Sequence, residues 1–133
     1  MIALLARDVM TTEVVTVPPS MTMQELARLL AERHISGVPV VDHMGRVLGI
    51  VSEADILSRR QGEETVRAIM TTDVVAVTEE ESVHEIALLL WMKRINRVPV
   101  LRQGSLVGIV SRTDLVKALA GIMPARAGAG RRE

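Results

Sequence analysis

The strongest constraint on this chain is that its pattern is written twice. Val9-Met-Thr-Thr-Glu-Val-Val-Thr-Val17 returns as Ile69-Met-Thr-Thr-Asp-Val-Val-Ala-Val77, an offset of 60 from Met10 to Met70. Val38-Pro-Val40 returns at the same offset as Val98-Pro-Val100. Met44 is one extra residue, so Gly49 answers Gly108 at 59. Val47-Leu-Gly-Ile-Val-Ser-Glu-Ala-Asp55 then matches Leu106-Val-Gly-Ile-Val-Ser-Arg-Thr-Asp114. A fold made by such duplication must satisfy one pattern at both places. The copies are bounded at residues 7–60 and 67–120, and a tail at 121–133, with Pro124, Gly128, Gly130 and scattered charge, is predicted to be disordered.

Each copy reads as strand, helix, strand, strand, helix. Residues 14–17 and 74–77 are β-branched and apolar, the signature of short strands. Thr22-x-x-Glu25 and Ser82-x-x-Glu85 have the form of a capping box, in which hydroxyl and carboxylate take up free N–H groups of a helix start. Met23, Leu26, Ala27 and Leu30 then share a helical face, as do Val83, Ile86, Ala87 and Leu90. Strands follow at Val38–Val41 and Val98–Leu101, then hairpin turns at Asp42–Gly45 and Arg102–Gly104. The strands holding Gly49 and Gly108 come next; a glycine inside a strand marks a bulge or a close backbone approach. The helix begun by Ser52 is predicted to end near Gly62, with a linker from Arg59 to Glu64.

The chain's 133 residues make one compact unit or two small halves sharing a core. Apolar residues are 48% of it, yet there is no Phe or Tyr and one tryptophan, Trp91. A bound base would therefore lie between aliphatic side chains. Lys+Arg and Asp+Glu are 16 each, which argues against nonspecific nucleic-acid binding. The absence of cysteine excludes disulfides, thiolate metal sites and thiol nucleophiles, and fits a cytoplasmic protein. No apolar run approaches the roughly 18 residues of a membrane span, and Met1–Asp8 lacks the basic region of a signal peptide.

Ser-x-x-Asp at Ser52/Asp55 and Ser111/Asp114 has two readings. One is an ordinary helix start, a serine cap with an acid in the first turn. The other is a ligand site. Helix-start N–H groups attract phosphate, and a nearby carboxylate accepts ribose hydroxyls. Finding the motif twice within a longer repeat favours the second.

These residues carry a resemblance. The double Met-Thr-Thr-x-Val-Val-x-Val, the Val-Pro-Val strand and Gly-Ile-Val-Ser-x-x-Asp before a helix resemble a tandem pair of CBS domains, also called a Bateman module. The resemblance implies an α+β fold in which two β-α-β-β-α halves pack sheet to sheet about a pseudo-twofold axis, leaving two clefts. It implies a non-catalytic regulator that binds AMP, ADP or ATP, or S-adenosylmethionine, and acts on a separate protein. By the same resemblance Asp55 and Asp114 contact ribose, and Ser52 and Ser111 help to hold ribose or phosphate. The Asp114 cleft would be lined by Thr11, Thr12, Val15, Ile35, Ser36, Gly37 and Pro39. The Asp55 cleft would be lined by Thr71, Thr72, Val75, Ile95, Asn96, Arg97 and Pro99. Arg97 stands where the other copy has Gly37, and its guanidinium suits phosphate, which favours the Asp55 cleft for a charged nucleotide. Arg59, Arg60, Arg112 and Lys117 read as a solvated face.

The helix after Ser82 is apolar almost all round from Ala87 to Met92, which implies a second buried surface. A homodimer contact at Leu88, Trp91 and Met92 is expected. His34, His43 and His84 are scattered and form no metal pattern. No serine sits in a nucleophile motif, so no catalytic residue is assigned. The eight methionines read as adaptable core. The chain reads as a CBS pair standing alone, whose output passes through a partner or the dimer. The alternative is a structural or dimerisation module with no nucleotide ligand.

Overall fold

The capping and alternation patterns produce most of the expected elements in the computed structural model, which describes residues 3–58 and 64–125. The order is α1 (Ala6–Val9), α2 (Met23–Arg33), β1 (Gly37–Val41), β2 (Val47–Ser52), α3 (Glu53–Leu57), α4 (Val66–Ile69), β3 (Val77–Thr78), α5 (Val83–Lys93), β4 (Arg97–Arg102), β5 (Ser105–Ser111) and α6 (Arg112–Leu119). Helices alternate with small sheets, β1-β2 and β3-β4-β5, giving an α+β fold. The chain forms two compact units that cut across the repeat. Unit 1 joins the N-terminal segment through Glu13 to Ala76–Arg102 and to the chain from Val107 onward; unit 2 is Val14–Val75 with Gln103–Leu106.

Unit 2 is built on the α2 cap. Thr22 N donates to Glu25 Oε1 at 2.9 Å, and Glu25 N donates to Thr22 Oγ1 at 3.1 Å. That fixes the helix start so that Met23, Leu26 and Leu30 are buried with Val17, Val38, Val40 and Val51. β1 pairs antiparallel with β2, Val40 opposite Gly49, with a bulge between Val40 and Val41. Asp42 shapes the turn: its Oδ1 accepts from Met44 N at 2.8 Å and Arg46 N at 3.0 Å. The core is closed by α4, from the start of the second copy. Val66 N donates to Met21 O at 2.8 Å, and Val66 and Ile69 enter the same cluster.

Unit 1 repeats this with the segments exchanged. Leu5 N donates to Asp8 Oδ2 at 2.9 Å to start α1, and Ala6 N and Arg7 N donate to Glu81 O and Glu79 O at 2.8 and 3.0 Å. Ala6, Val9, Ile86, Leu90, Val98, Val100 and Val110 are buried. Ser82 caps α5, accepting from Glu85 N at 3.1 Å. β3 runs parallel to β4, with Val77 opposite Val100.

Some expectations are corrected. The strand expected at 14–17 is a single bridge, Val17 with Val40, and the one at 74–77 is the two-residue β3. Helices α1 and α4 were not anticipated; four residues are too few to show a 3.6-residue period. The helix after Ser52 stops at Leu57 with Ser58 as its cap, and most of the expected linker, residues 59–63, lies outside the described residues. Gly121–Ala125 carry no helix or strand, and the rest of the expected tail is likewise outside them. No helix among the described residues is long and apolar enough to cross a membrane.

The apolar surface expected on α5 is exposed: Leu88 is 45% accessible, Trp91 78% and Met92 69%. On α2 the corresponding face carries Arg28, Glu32 and Arg33.

Candidate functional site

In unit 1, β5 runs directly into α6 at Ser111, whose backbone is still extended while Arg112 begins the helix. Ser111 N and Oγ both donate to Asp114 Oδ2, at 2.9 and 3.0 Å, and Asp114 N donates back to Ser111 Oγ at 3.1 Å. The ordinary helix-cap reading of Ser-x-x-Asp is thus correct, but it occupies only one carboxylate oxygen. Asp114 Oδ1 accepts from Thr11 Oγ1 at 3.2 Å. Thr11 is brought there by a two-way bridge, its N to Ile109 O at 2.8 Å and Ile109 N to its O at 2.9 Å.

Unit 2 reproduces the geometry. Ser52 N and Oγ donate to Asp55 Oδ2 at 2.8 and 3.2 Å. Thr71 N donates to Ile50 O at 2.8 Å, and Ile50 N to Thr71 O at 2.9 Å. The sites differ in the serine's return bond, which is present only at Ser111, and at the second carboxylate oxygen: among the described residues nothing hydrogen-bonds Asp55 Oδ1. An ionised carboxylate has about four acceptor positions. Asp55 therefore keeps more of its capacity than Asp114, and both carboxylates are half-buried.

The glycines explain why the Met-Thr segment lies so close. A Cβ on Gly49 would stand 2.7 Å from Thr71 O and 2.9 Å from Met70 Sδ; on Gly108 it would stand 2.6 Å from Met10 Sδ and 3.0 Å from Thr11 O. Only glycine lets the threonine backbone cross the strand there.

The predicted residues divide as follows. Thr12 shares unit 1 with Thr11, Ser111 and Asp114, whereas Val15, Ile35, Ser36, Gly37 and Pro39 belong to unit 2. Within unit 2, Glu53 N donates to Ser36 O at 2.9 Å and Gly37 pairs with Ser52, so this segment adjoins the Asp55 turn. Thr72 and Val75 are also in unit 2, while Ile95, Asn96, Arg97 and Pro99 are in unit 1. There Arg112 N donates to Asn96 O at 2.9 Å, which ties the segment to the Asp114 turn. Pro39 and Pro99 are buried. Sequence reading missed Ile50 and Ile109, which hold the threonines, and Met10 and Met70, which cover the glycines; the fixed distance from each Met-Thr pair to a glycine was the available signal. Among the described residues no three His, Asp or Glu are placed to hold a metal.

Comparison with known proteins places this architecture. The CBS domain family model matches residues 6–62 and 66–121. The chain belongs to the CBS domain family, as a tandem pair. It is 35% identical over 114 residues to the CBS domain-containing protein YhcV of Bacillus subtilis (strain 168), covering 82% of this chain and 81% of that protein. It is 31% identical to inosine-5'-monophosphate dehydrogenase of Methanocaldococcus jannaschii over 84% of this chain, but spans only 23% of that enzyme. Among solved structures it is similar to the CBS domain pair of protein MJ0100 in complex with 5'-methylthioadenosine and S-adenosyl-L-methionine, with TM-score 0.82, 29% identity and coverage of 90% of this chain and 98% of that one. It is similar also to CBSX2 in complex with AMP, with TM-score 0.82, 28% identity and coverage of 88% and 96%.

Proposed function

We propose that the protein is a non-catalytic regulatory module that binds an adenosine-containing ligand, an adenine nucleotide of the AMP, ADP or ATP class or S-adenosylmethionine, through the Asp55 and Asp114 turns. The observation that carries this reading is the division of labour within each carboxylate. Oδ2 is held by the serine cap, at 2.8 and 2.9 Å from the two serine N–H groups, which fixes the side chain and leaves Oδ1 as the acceptor aimed elsewhere. A carboxylate pre-set this way loses little rotamer freedom when it accepts ribose hydroxyls. Ser52 and Ser111 cap the turns, Thr11, Thr12, Thr71 and Thr72 border them, and Arg97 is assigned to phosphate. Two neighbouring structures, MJ0100 and CBSX2, hold adenosine compounds.

The output passes to a separate regulated protein or through a homodimer. The exposed Leu88, Trp91 and Met92 on α5 favour the dimer. The cysteine-free composition fits a cytoplasmic setting.

Thermal unfolding with AMP, ADP, ATP, 5'-methylthioadenosine and S-adenosylmethionine tests the reading. A ligand at about 100 times its dissociation constant adds roughly 2.7 kcal/mol of stability. The shift should shrink in Asp55→Ala and in Asp114→Ala. No shift with any of the five, or equal shifts in both variants and the parent, leaves the dimerisation module as the function.

A further inference from the structure

Beside the β1–β2 turn, wholly within unit 2, lies a surface groove of about 410 Å³. Val17, Pro18, Pro19 and Leu48 form its apolar wall, and Asp42, His43 and Arg67 also line it. Neither Ser52, Asp55 nor Thr71 borders it, so it is separate from the nucleotide-binding turns. His43 and Arg67 are exposed. Among the described residues Arg67 makes no ion pair or side-chain hydrogen bond, and it lies farther from the Asp42 carboxylate than the 4.0 Å of a salt bridge. The Asp42 carboxyl is held below its ordinary range by the Arg46 and Met44 N–H groups, so it is anionic at neutral pH. Those bonds use Oδ1; among the described residues no donor meets Oδ2.

The repeat supplies an internal comparison. Arg7 is the counterpart of Arg67, and the backbones match: Arg67 N donates to Pro19 O at 3.0 Å, and Arg7 N to Glu79 O at 3.0 Å. In unit 1, however, Glu79 replaces Pro19 and Arg102 replaces Asp42. Arg102 Nε and Nη2 grip the two Glu79 oxygens at 2.8 and 2.7 Å, and the Arg7 charge also acts on Glu79. The charges of unit 1 therefore answer one another. In unit 2 the Arg46 and His43 charges act on Asp42, whereas Arg67 forms no ion pair among the described residues, and Asp42 and Arg67 border the open, apolar-walled groove with opposite signs.

We propose that this groove binds a free α-amino acid with an aliphatic side chain, its carboxylate on Arg67, its ammonium on Asp42 and its side chain against Pro18, Pro19 and Leu48. A simple anion would meet the Asp42 charge and a simple amine the Arg67 charge. A ligand carrying both charges a few bonds apart is attracted by each. Arginine offers the flat fork that matches a carboxylate. The wall holds no aromatic ring, so its apolar contact suits a branched aliphatic group better than a stacked one.

The test is calorimetric titration of the full chain, free of nucleotide, with leucine, N-acetyl-leucine and leucinamide. Leucine should bind, and each derivative, which lacks one charge, should bind at least about tenfold more weakly. Arg67→Gln and Asp42→Asn should each cost leucine a similar factor; Asn retains the turn-forming Oδ1, so the β1–β2 hairpin survives. Asp55→Ala should leave leucine binding unchanged, which separates this groove from the nucleotide site. No heat with leucine, isoleucine or valine up to about 10 mM overturns the proposal. Leucine affinity unaltered in Arg67→Gln, or N-acetyl-leucine binding as well as leucine, overturns it too.

Discussion

Gly49→Ala tests whether the close crossing of Thr71 over β2 holds unit 2 together. The new Cβ would stand 2.7 Å from Thr71 O, where ordinary contact begins at 3.4 Å, so something must move by about 0.7 Å. Met70 Sδ, at 2.9 Å, can swing aside. The Thr71 carbonyl cannot, because it accepts from Ile50 N at 2.9 Å while Thr71 N donates to Ile50 O at 2.8 Å. A shift of that size takes both bonds out of range, costing about 1–3 kcal/mol. Crowding adds about 1–3 kcal/mol, and the alanine returns up to about 1 kcal/mol of chain entropy. The net loss is about 1–6 kcal/mol, a fall in Tm centred on about 10 °C for a chain of this size. Urea and thermal melts of the two proteins measure it. Adding Met70→Ala should not rescue Gly49→Ala, since the obstacle is backbone. Met10→Ala should partly rescue Gly108→Ala, where Met10 Sδ is the nearest atom at 2.6 Å. A Tm for Gly49→Ala within about 2 °C of the parent would refute the reasoning.

Other outcomes follow from the same coordinates. Ile86→Ala removes a fully buried side chain from unit 1 and should cost about 2–5 kcal/mol in urea unfolding, as should Leu26→Ala in unit 2. The Arg102 fork, with the Arg102 and Arg7 charges, holds the Glu79 carboxyl below its ordinary 4.5. This depressed value stabilises the fold above pH 4.5, and the contribution is lost as pH falls through the folded value. Stability measured downward from about pH 7 should therefore drop more steeply in the parent than in Arg102→Gln, and identical profiles would contradict the pairing. Trp91→Glu should convert the proposed dimer to a monomer in sedimentation; a parent already monomeric at about 100 μM would end the dimer reading.

The repeat made the major helices and hairpins legible because each pattern could be checked against its twin. The Thr22 cap and the α2 face follow directly from residue types and spacing. Short-range signals failed where pairing is long-range. Val14–Thr16 are β-branched, yet only Val17 finds a ladder partner, Val40. Helices α1 and α4 exist because Ala6, Val9, Val66 and Ile69 fill cores built by distant parts of the chain, a tertiary cause with no local trace. The Ser-x-x-Asp turns were visible, but not that one motif serves as cap and acceptor together, since that depends on which oxygen meets which donor. The groove at Asp42 and Arg67 was invisible for the same reason: its residues meet only through the fold.

The exchange of segments between the halves also sets an order of events. Thr11 reaches an aspartate 103 residues later in the chain. Closing a loop of that length costs about 4 kcal/mol of entropy, and no contact within the loop's own first turns repays it. At about 5–20 residues per second of synthesis, Ala6 and Val9 wait some 5–20 s before α5 and α6 exist to receive them. Ala6 and Val9, made before the rest of unit 1, are among the last of its residues to be placed, and until then their apolar face is open to whatever meets the nascent chain.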